Sequence, residues 1–140
     1  MHRYAVRVYY EDTDAGGVVY HANYLRWFER ARSDLLRLLG IDQRAALESG
    51  SGLYAVAELA IRYLLPARLG DEVLIETRGR AIGAATCTLE QCASRDGATI
   101  SHATVRVGFV GPDGRPRRQP EAWRHAFASL LTDPEGQECR

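Results

Sequence analysis

The run Asn23-Tyr24-Leu25-Arg26-Trp27-Phe28-Glu29-Arg30-Ala31-Arg32-Ser33-Asp34-Leu35-Leu36-Arg37-Leu38-Leu39-Gly40 decides the fold. Tyr24, Trp27, Phe28, Ala31, Leu35, Leu38 and Leu39 recur at helical spacing, and Arg26, Arg30, Asp34 and Arg37 take the other side. Asn23 suits an N-cap, and Gly40 suits a C-terminal stop. The pattern predicts one helix of about 17 residues, ~25 Å long at 1.5 Å per residue. Its apolar stripe is wide enough to need a sheet to cover it.

On both sides of this helix the period changes to two. Upstream, from Arg3 to Tyr10, Tyr4, Val6, Val8 and Tyr10 fall on one strand face, with Arg3 and Arg7 on the other. Glu11 to Gly17 is a polar, glycine-rich loop. Downstream, a loop is expected near Ile41–Gly52. Ala55, Ala57, Leu59, Ile61, Tyr63 and Leu65 then share one strand face until Pro66 ends the run. Val73–Arg80, Ala85–Ala93 and Thr99–Val110 read as three further strands. Arg95-Asp96-Gly97 signals a hairpin between the last two. A short helix is expected from Glu121 to Leu131, with Pro120 at its start.

The order is strand, loop, helix, then four strands joined by short connections. Short connections imply antiparallel pairing. The fold class is therefore α+β, one long helix on an antiparallel sheet of about five strands. Such a sheet leaves a second face and its edge strands to be covered, and another copy of the chain would cover them. A homo-oligomer is expected.

The chain has 140 residues and a mass of 15.6 kDa, the size of one domain. The core is expected over about 3–131, with 132–140 as a flexible tail. The formal net charge is zero, so nothing pulls the chain generally towards nucleic acid or anionic lipid. No apolar run approaches the ~18 residues that would span a bilayer, so no membrane insertion is expected. The first residues interleave charge with apolar side chains, unlike a secretory signal, and a cytoplasmic location is expected. Cys87, Cys92 and Cys139 are odd in number and not closely paired, which argues against a disulfide framework or a Cys-based zinc site.

Functional side chains are densest in Tyr10-Glu11-Asp12-Thr13-Asp14, followed by His21 and Asn23. They lie where a strand hands over to a helix N-terminus, whose unpaired N–H groups can stabilise an oxyanion. A carboxylate there can attack, or act as a base for water. Gly16 and Gly17 would let backbone approach a ligand. The Asp12/Asp14 pair alone does not say which acid matters, and one acidic group offers too few oxygens for a hard metal. Glu58 interrupts an apolar strand and faces either a subunit cleft or water. Arg115-Pro116-Arg117-Arg118 is a basic run with no aromatic interleaving to suggest nucleic acid.

The stretch from Tyr10 to Tyr24 resembles the signature of the hotdog-fold acyl-CoA thioesterases of the 4-hydroxybenzoyl-CoA thioesterase family. Its nearest branch is the Tol–Pal system-associated acyl-CoA thioesterases. Glu29-Arg30-Ala31-Arg32 and Tyr63-Leu64-Leu65-Pro66-Ala67-Arg68-Leu69-Gly70-Asp71 look like that branch too, while Gly111–Arg140 is less recognisable. The resemblance implies a hotdog fold, a long central helix wrapped by a curved antiparallel sheet. It implies a homo-oligomer, a dimer of hotdogs and then a homotetramer, with active sites at the subunit interface. It implies an acyl-CoA thioesterase, with Asp14 as nucleophile or general base, His21 assisting, and helix-start N–H groups polarising the carbonyl. Tyr10, Gly17, Tyr20, Asn23 and Glu58 are the expected substrate-binding residues. Coenzyme A belongs to the substrate, and no separate cofactor or metal is implied. The alternatives are a hotdog acyl-thioester dehydratase or hydratase, and a non-catalytic acyl-CoA-binding protein.

Overall fold

The computed structural model describes residues 1–131. Cys139 and the expected tail lie outside them. Five strands form one antiparallel sheet: β1 (His2–Arg7), β2 (Leu53–Tyr63), β3 (Glu72–Ile82), β4 (Thr86–Arg95) and β5 (Ala98–Val110), in the order β1-β3-β4-β5-β2. The helices are α1 (His21–Leu38), α2 (Gln43–Glu48) and α3 (Glu121–Ala128). The β4–β5 hairpin turns where the sequence signals it. Asp96 and Gly97 both take positive φ, 51° and 81°, as a two-residue turn matched to strand twist requires.

The sheet curls around α1. Register shifts at Val56/Glu58, Gly79/Ala81 and Ala93/Ser94 bend three strand pairs. Trp27, Phe28 and Ala31 are 2%, 0% and 0% exposed, and the sheet meets them with Val73, Ile75, Leu89, Ala103 and Val105.

The bulge corrects the sequence reading of β2. Tyr54 and Val56 pair with the core residues Phe109 and Val107, whereas Leu59 and Ile61 pair with Val105 and Ala103. Ala57 is the extra residue, and an extra residue flips the alternation. Ala55 and Ala57 therefore do not share a face with Leu59 and Ile61. The set on the helix side of the sheet is Tyr54, Val56, Leu59, Ile61 and Tyr63, of which Val56, Leu59 and Tyr63 remain exposed at the sheet edge.

The ends of α1 also differ from expectation. The N-cap is Tyr20, and Asn23 lies in the first turn with its side chain buried. Asn23 Nδ2 donates to the Asp12 carbonyl at 2.8 Å, so it braces the preceding loop rather than capping the helix. At the other end Leu36 is buried and Leu38 is 64% exposed. Gly40 takes φ 77° and turns the chain back over the Leu36 side. Ile41 N–H then reaches the Leu36 carbonyl at 2.9 Å, and Gly40 N–H the Arg37 carbonyl at 3.1 Å. Those two bonds form a Schellman motif. Gly40→Ala should cost about 1 kcal/mol, from forcing a Cβ into the left-handed region. Urea midpoints of the two proteins will measure it.

The returning chain forms α2, in a stretch expected to be loop. Asp42 accepts the Ala45 N–H at 3.0 Å and caps it. The first strand ends at Arg7, earlier than expected, because Tyr10–Asp12 closes into a 3₁₀ turn.

His2 ties β1 to α1. Its ring nitrogen donates to Asp34 at 2.8 Å, and Arg37 donates to the other carboxylate oxygen at 2.9 Å. The Arg37 bond first, and the His2 bond second, hold the Asp34 carboxyl below its ordinary range. A depressed folded-state value stabilises the fold above the unfolded value, ~3.9, and that contribution fades as pH falls through the folded one. Asp34→Asn should therefore be less stable than the wild type at neutral pH. The gap should close as the solution is acidified below about pH 4, which a urea-midpoint series across pH will record.

Candidate active site

The chain leaves β2 at one edge of the sheet and enters β3 near the other, so residues 64–71 must cross the end of the sheet. Leu64 and Leu65 N–H both reach the Ile100 carbonyl, at 2.9 and 3.2 Å. Arg95 donates to the Pro66 carbonyl and to Asp71. The glycine-rich loop is fastened onto this crossing: Val19 N–H donates to the Ala67 carbonyl at 2.8 Å, and Val18 bridges to Arg68. Loop, crossing segment and the start of α1 line an open cavity of about 330 Å³.

Within the loop the two aspartates have separate employment. Asp12 Oδ2 accepts the Tyr9 N–H at 2.8 Å, and the Asp12 carbonyl accepts from Tyr20 N–H and Asn23. Asp12 holds the turn together. Asp14 faces the cavity, as does His21. Its Oδ1 accepts the Gly16 N–H at 2.8 Å, and its own backbone is set by bonds to Val18 and Gly17. A Cβ at Gly16 would stand 3.1 Å from Asp14 Oδ1, so that glycine leaves room for the carboxylate. Gly17 is needed for its φ of 78°.

Tyr20 caps α1 without a side-chain bond and its carbonyl takes the Asn23 N–H at 2.9 Å, so the N–H groups of the first turn left without an intrahelical acceptor are those of His21 and Ala22. Negative charge is favoured there. The Tyr63 hydroxyl donates to the His21 carbonyl at 2.9 Å, and the His21 ring lies 4.5 Å from that of Tyr20, centroid to centroid. Burial raises the Tyr24 and Tyr63 hydroxyls above the usual tyrosine range, so both stay neutral as wall residues. Val18, Val19, Leu64, Leu65 and Pro66 supply an apolar lining.

Of the sequence-predicted site residues, the cavity brings together Asp14 and His21. Tyr10 is 82% exposed and stands outside it. Tyr20 borders it through the His21 ring, and Asn23 lies beneath as a brace. Glu58 sits on β2 past the bulge, its side chain exposed and paired with Arg106 at 3.3 Å. Sequence reasoning misses the wall from Tyr63 to Pro66. Its one signal is an apolar Leu64-Leu65 continuing past the end of a strand.

Other nucleophile and metal chemistry lies elsewhere. Cys87 is buried, its thiol donates to Gln119, and burial pushes it up to about 11, so it is not a ready thiolate. Among the described residues, Glu90, Cys92 and His102 bring metal-type ligand atoms within 4.8 Å of one another, on β4 and β5. All three are already engaged in other interactions, Glu90 with Arg80 among them. Among the described residues no helix is long and apolar enough to cross a membrane.

Comparison with known proteins matches residues 8–131 to the Thioesterase-like superfamily. The acyl-CoA thioesterase YbgC of Haemophilus influenzae is 43% identical over 127 residues, covering 87% of this chain and 93% of that one. A Thermus thermophilus thioesterase solved with coenzyme A and zinc is 28% identical, with a TM-score of 0.79, covering 95% and 96% of the two chains. Slr0204 of Synechocystis, a 1,4-dihydroxy-2-naphthoyl-CoA thioesterase, superposes with a TM-score of 0.85 at 21% identity, over 92% and 96% of the chains, and so speaks for the fold.

Proposed function

This chain belongs to the Thioesterase-like superfamily of hotdog-fold acyl-CoA thioesterases, and we propose that it cleaves acyl-CoA at Asp14. The reaction takes an acyl thioester and water to a carboxylic acid and the coenzyme A thiol. The observation that carries this reading is the shared cleft: a carboxylate and a histidine at a helix start whose His21 and Ala22 N–H groups have no intrahelical acceptor. The carbonyl oxygen points at those N–H groups as it gains charge, and one such donor is worth ~3–4 kcal/mol in the transition state. Asp14 works in one of two ways. It attacks the carbonyl, expelling the thiolate and leaving an anhydride that water opens. Alternatively it takes a proton from a water that attacks. Heavy-oxygen water in a single turnover reports the first route when water opens the anhydride at the Asp14 carbon, because the bridging enzyme oxygen then leaves with the product and the label enters Asp14. His21 orients the carboxylate or the substrate. The thiolate leaves readily, so no strong acid is required.

A second copy completes the molecule in this reading. The edge strand β2 and the crossing segment present Val56, Leu59, Tyr63, Leu64 and Leu65 at 53%, 37%, 45%, 49% and 46% exposure. A long apolar edge with free backbone donors invites antiparallel pairing with its own copy, and dimers of that kind then pair into a homotetramer. Glu58 and Tyr10 reach substrate from such an interface. No cofactor beyond the coenzyme A of the substrate is required, and the setting is the cytoplasmic side of the Tol–Pal system.

The dehydratase alternative needs a histidine paired with an acid on the central helix. Asp34 does meet a histidine, His2, at 2.8 Å, but neither residue lines the cavity that holds Asp14, and Glu29 accepts from Ser33. The test is thiol release from a panel of acyl-CoA chain lengths, followed with a thiol reagent. Release supports the hydrolase. A thermal shift with acyl-CoA but no release across the panel leaves a binding protein.

A further inference from the structure

Between α1, α2 and the first half of β2 lies a second cavity, of about 130 Å³. Leu36, Tyr54, Val107 and Phe127 make it largely apolar, yet Arg32 also lines it. Arg32 Nη1 donates to Gln91 Oε1 at 2.9 Å. Gln91 is 0% exposed, and its amide nitrogen donates to the Phe28 carbonyl and the Thr77 hydroxyl, at 3.0 Å each. That network turns the Gln91 oxygen towards the arginine and fixes one of its five N–H donors. Glu29, one turn earlier, lines the same cavity, but its carboxylate is bonded by the Ser33 hydroxyl at 2.6 Å. Burial weighs against the guanidinium charge more than Glu29 supports it. A desolvated, pre-oriented guanidinium with donors to spare is the partner a carboxylate fits, through two parallel bonds.

Arg32 stands about three turns along α1 from His21, ~16 Å at 1.5 Å per residue. A short acyl group at Asp14 cannot reach the Arg32 of its own chain. Antiparallel pairing of two β2 edges sets the first half of one strand, with Tyr54 and Val56, beside the last half of the other, with Tyr63. In such a pair the reaction cavity of one copy would open towards the Arg32 cavity of the next. We propose that Arg32 receives the distal carboxylate of a short dicarboxylic acyl group whose thioester lies at the partner subunit's Asp14. The inference rests on the acyl-CoA reading above. The size agrees: about 130 Å³ holds roughly four waters' worth of liquid, enough for a few carbons and a carboxylate.

The test compares kcat/KM for glutaryl-CoA and pentanoyl-CoA, which share a chain length and differ in the end charge. The wild type should prefer glutaryl-CoA roughly 10–100-fold, the scale of one charged hydrogen-bonded contact. Arg32→Met should abolish that preference while pentanoyl-CoA turnover persists. Arg32→Lys keeps the charge without the fork and should retain only part, so it reads the contact even if the methionine variant does not fold. Glu29→Gln removes a like charge from the same wall and should widen the preference. Refolding Asp14→Asn together with Arg32→Met should raise glutaryl-CoA hydrolysis above the sum of the two variants measured alone, because mixed dimers contain one intact site. Equal rates for the two substrates, with turnover still dependent on Asp14, overturn the proposal and leave the hydrolase reading standing. Failure of the mixture to exceed that sum overturns the shared site. No turnover of any acyl-CoA overturns both readings.

Discussion

Asp14→Asn is expected to lower kcat/KM for acyl-CoA hydrolysis by roughly 10²–10⁴-fold, the range that a positioned proton-accepting or attacking group contributes. The fold should be unaffected. Asp14 is exposed, and the bond to Gly16 N–H uses Oδ1, which an asparagine oxygen reproduces. The substitution thus removes charge and nucleophilicity and little else. Asp12→Asn supplies the contrast. Asp12 Oδ2 accepts the Tyr9 N–H, so that change should loosen the turn and lower the melting temperature slightly, with hydrolysis largely retained. Steady-state kinetics and melting curves on both variants read the two effects separately. If Asp14→Asn hydrolyses acyl-CoA at the wild-type rate, the chemistry belongs to another residue.

The largest effect on stability is expected at Phe28. It is 0% exposed at the middle of α1, within the cluster that also holds Trp27, Ile75, Leu89 and Ala103. Its carbonyl also accepts from Gln91. Phe28→Ala removes a full ring from a site closed by sheet on one side and helix backbone on the other, so relaxation into the void is limited. Such changes cost about 3–5 kcal/mol. In a domain of this size that corresponds to a melting-temperature loss of roughly 10–20 °C. A loss of only a few degrees would mean that the centre of the core collapses around the gap. Leu38→Ala, at 64% exposure on the same helix, is the matched control and should change stability little.

Much of this architecture was legible in the residues. The apolar period of α1, the two-residue turn at Asp96-Gly97 and the glycine stop at Gly40 are local signals. They act over a few residues, and the structure obeys them. The errors arose where distant contacts decide. Nothing in the composition of Leu53–Tyr63 marks Ala57 as the extra residue, because the bulge answers to its pairing with β5. Asn23 has the chemistry of a cap, yet tertiary contact with the Asp12 carbonyl moved it into the first turn. α2 is a single short helix held by one cap and by the fold-back after Gly40, too weak a pattern to stand out alone.

The candidate site divides in the same way. Asp14 and His21 were identifiable because they flank a helix start in one continuous stretch. Composition could not separate Asp14 from Asp12. The difference lies in which backbone N–H each carboxylate meets. The lining from Tyr63 to Pro66 comes from a segment about forty residues later, brought over by the crossing between sheet edges. Arg32 belongs to neither face of the helix pattern read from the sequence, and its setting comes from Gln91, which the sheet supplies.

Main-chain bonds hold Asp14, the Gly16 N–H at its carboxylate and Gly17 and Val18 at its backbone, whereas side chains of a separate segment shape the space in front of it. In the proposed reaction, reactivity and selectivity are then carried on different stretches of polypeptide. Exchanging Leu64 or Leu65 for larger or smaller groups should therefore change which acids are accepted while leaving the bonds around Asp14 in place.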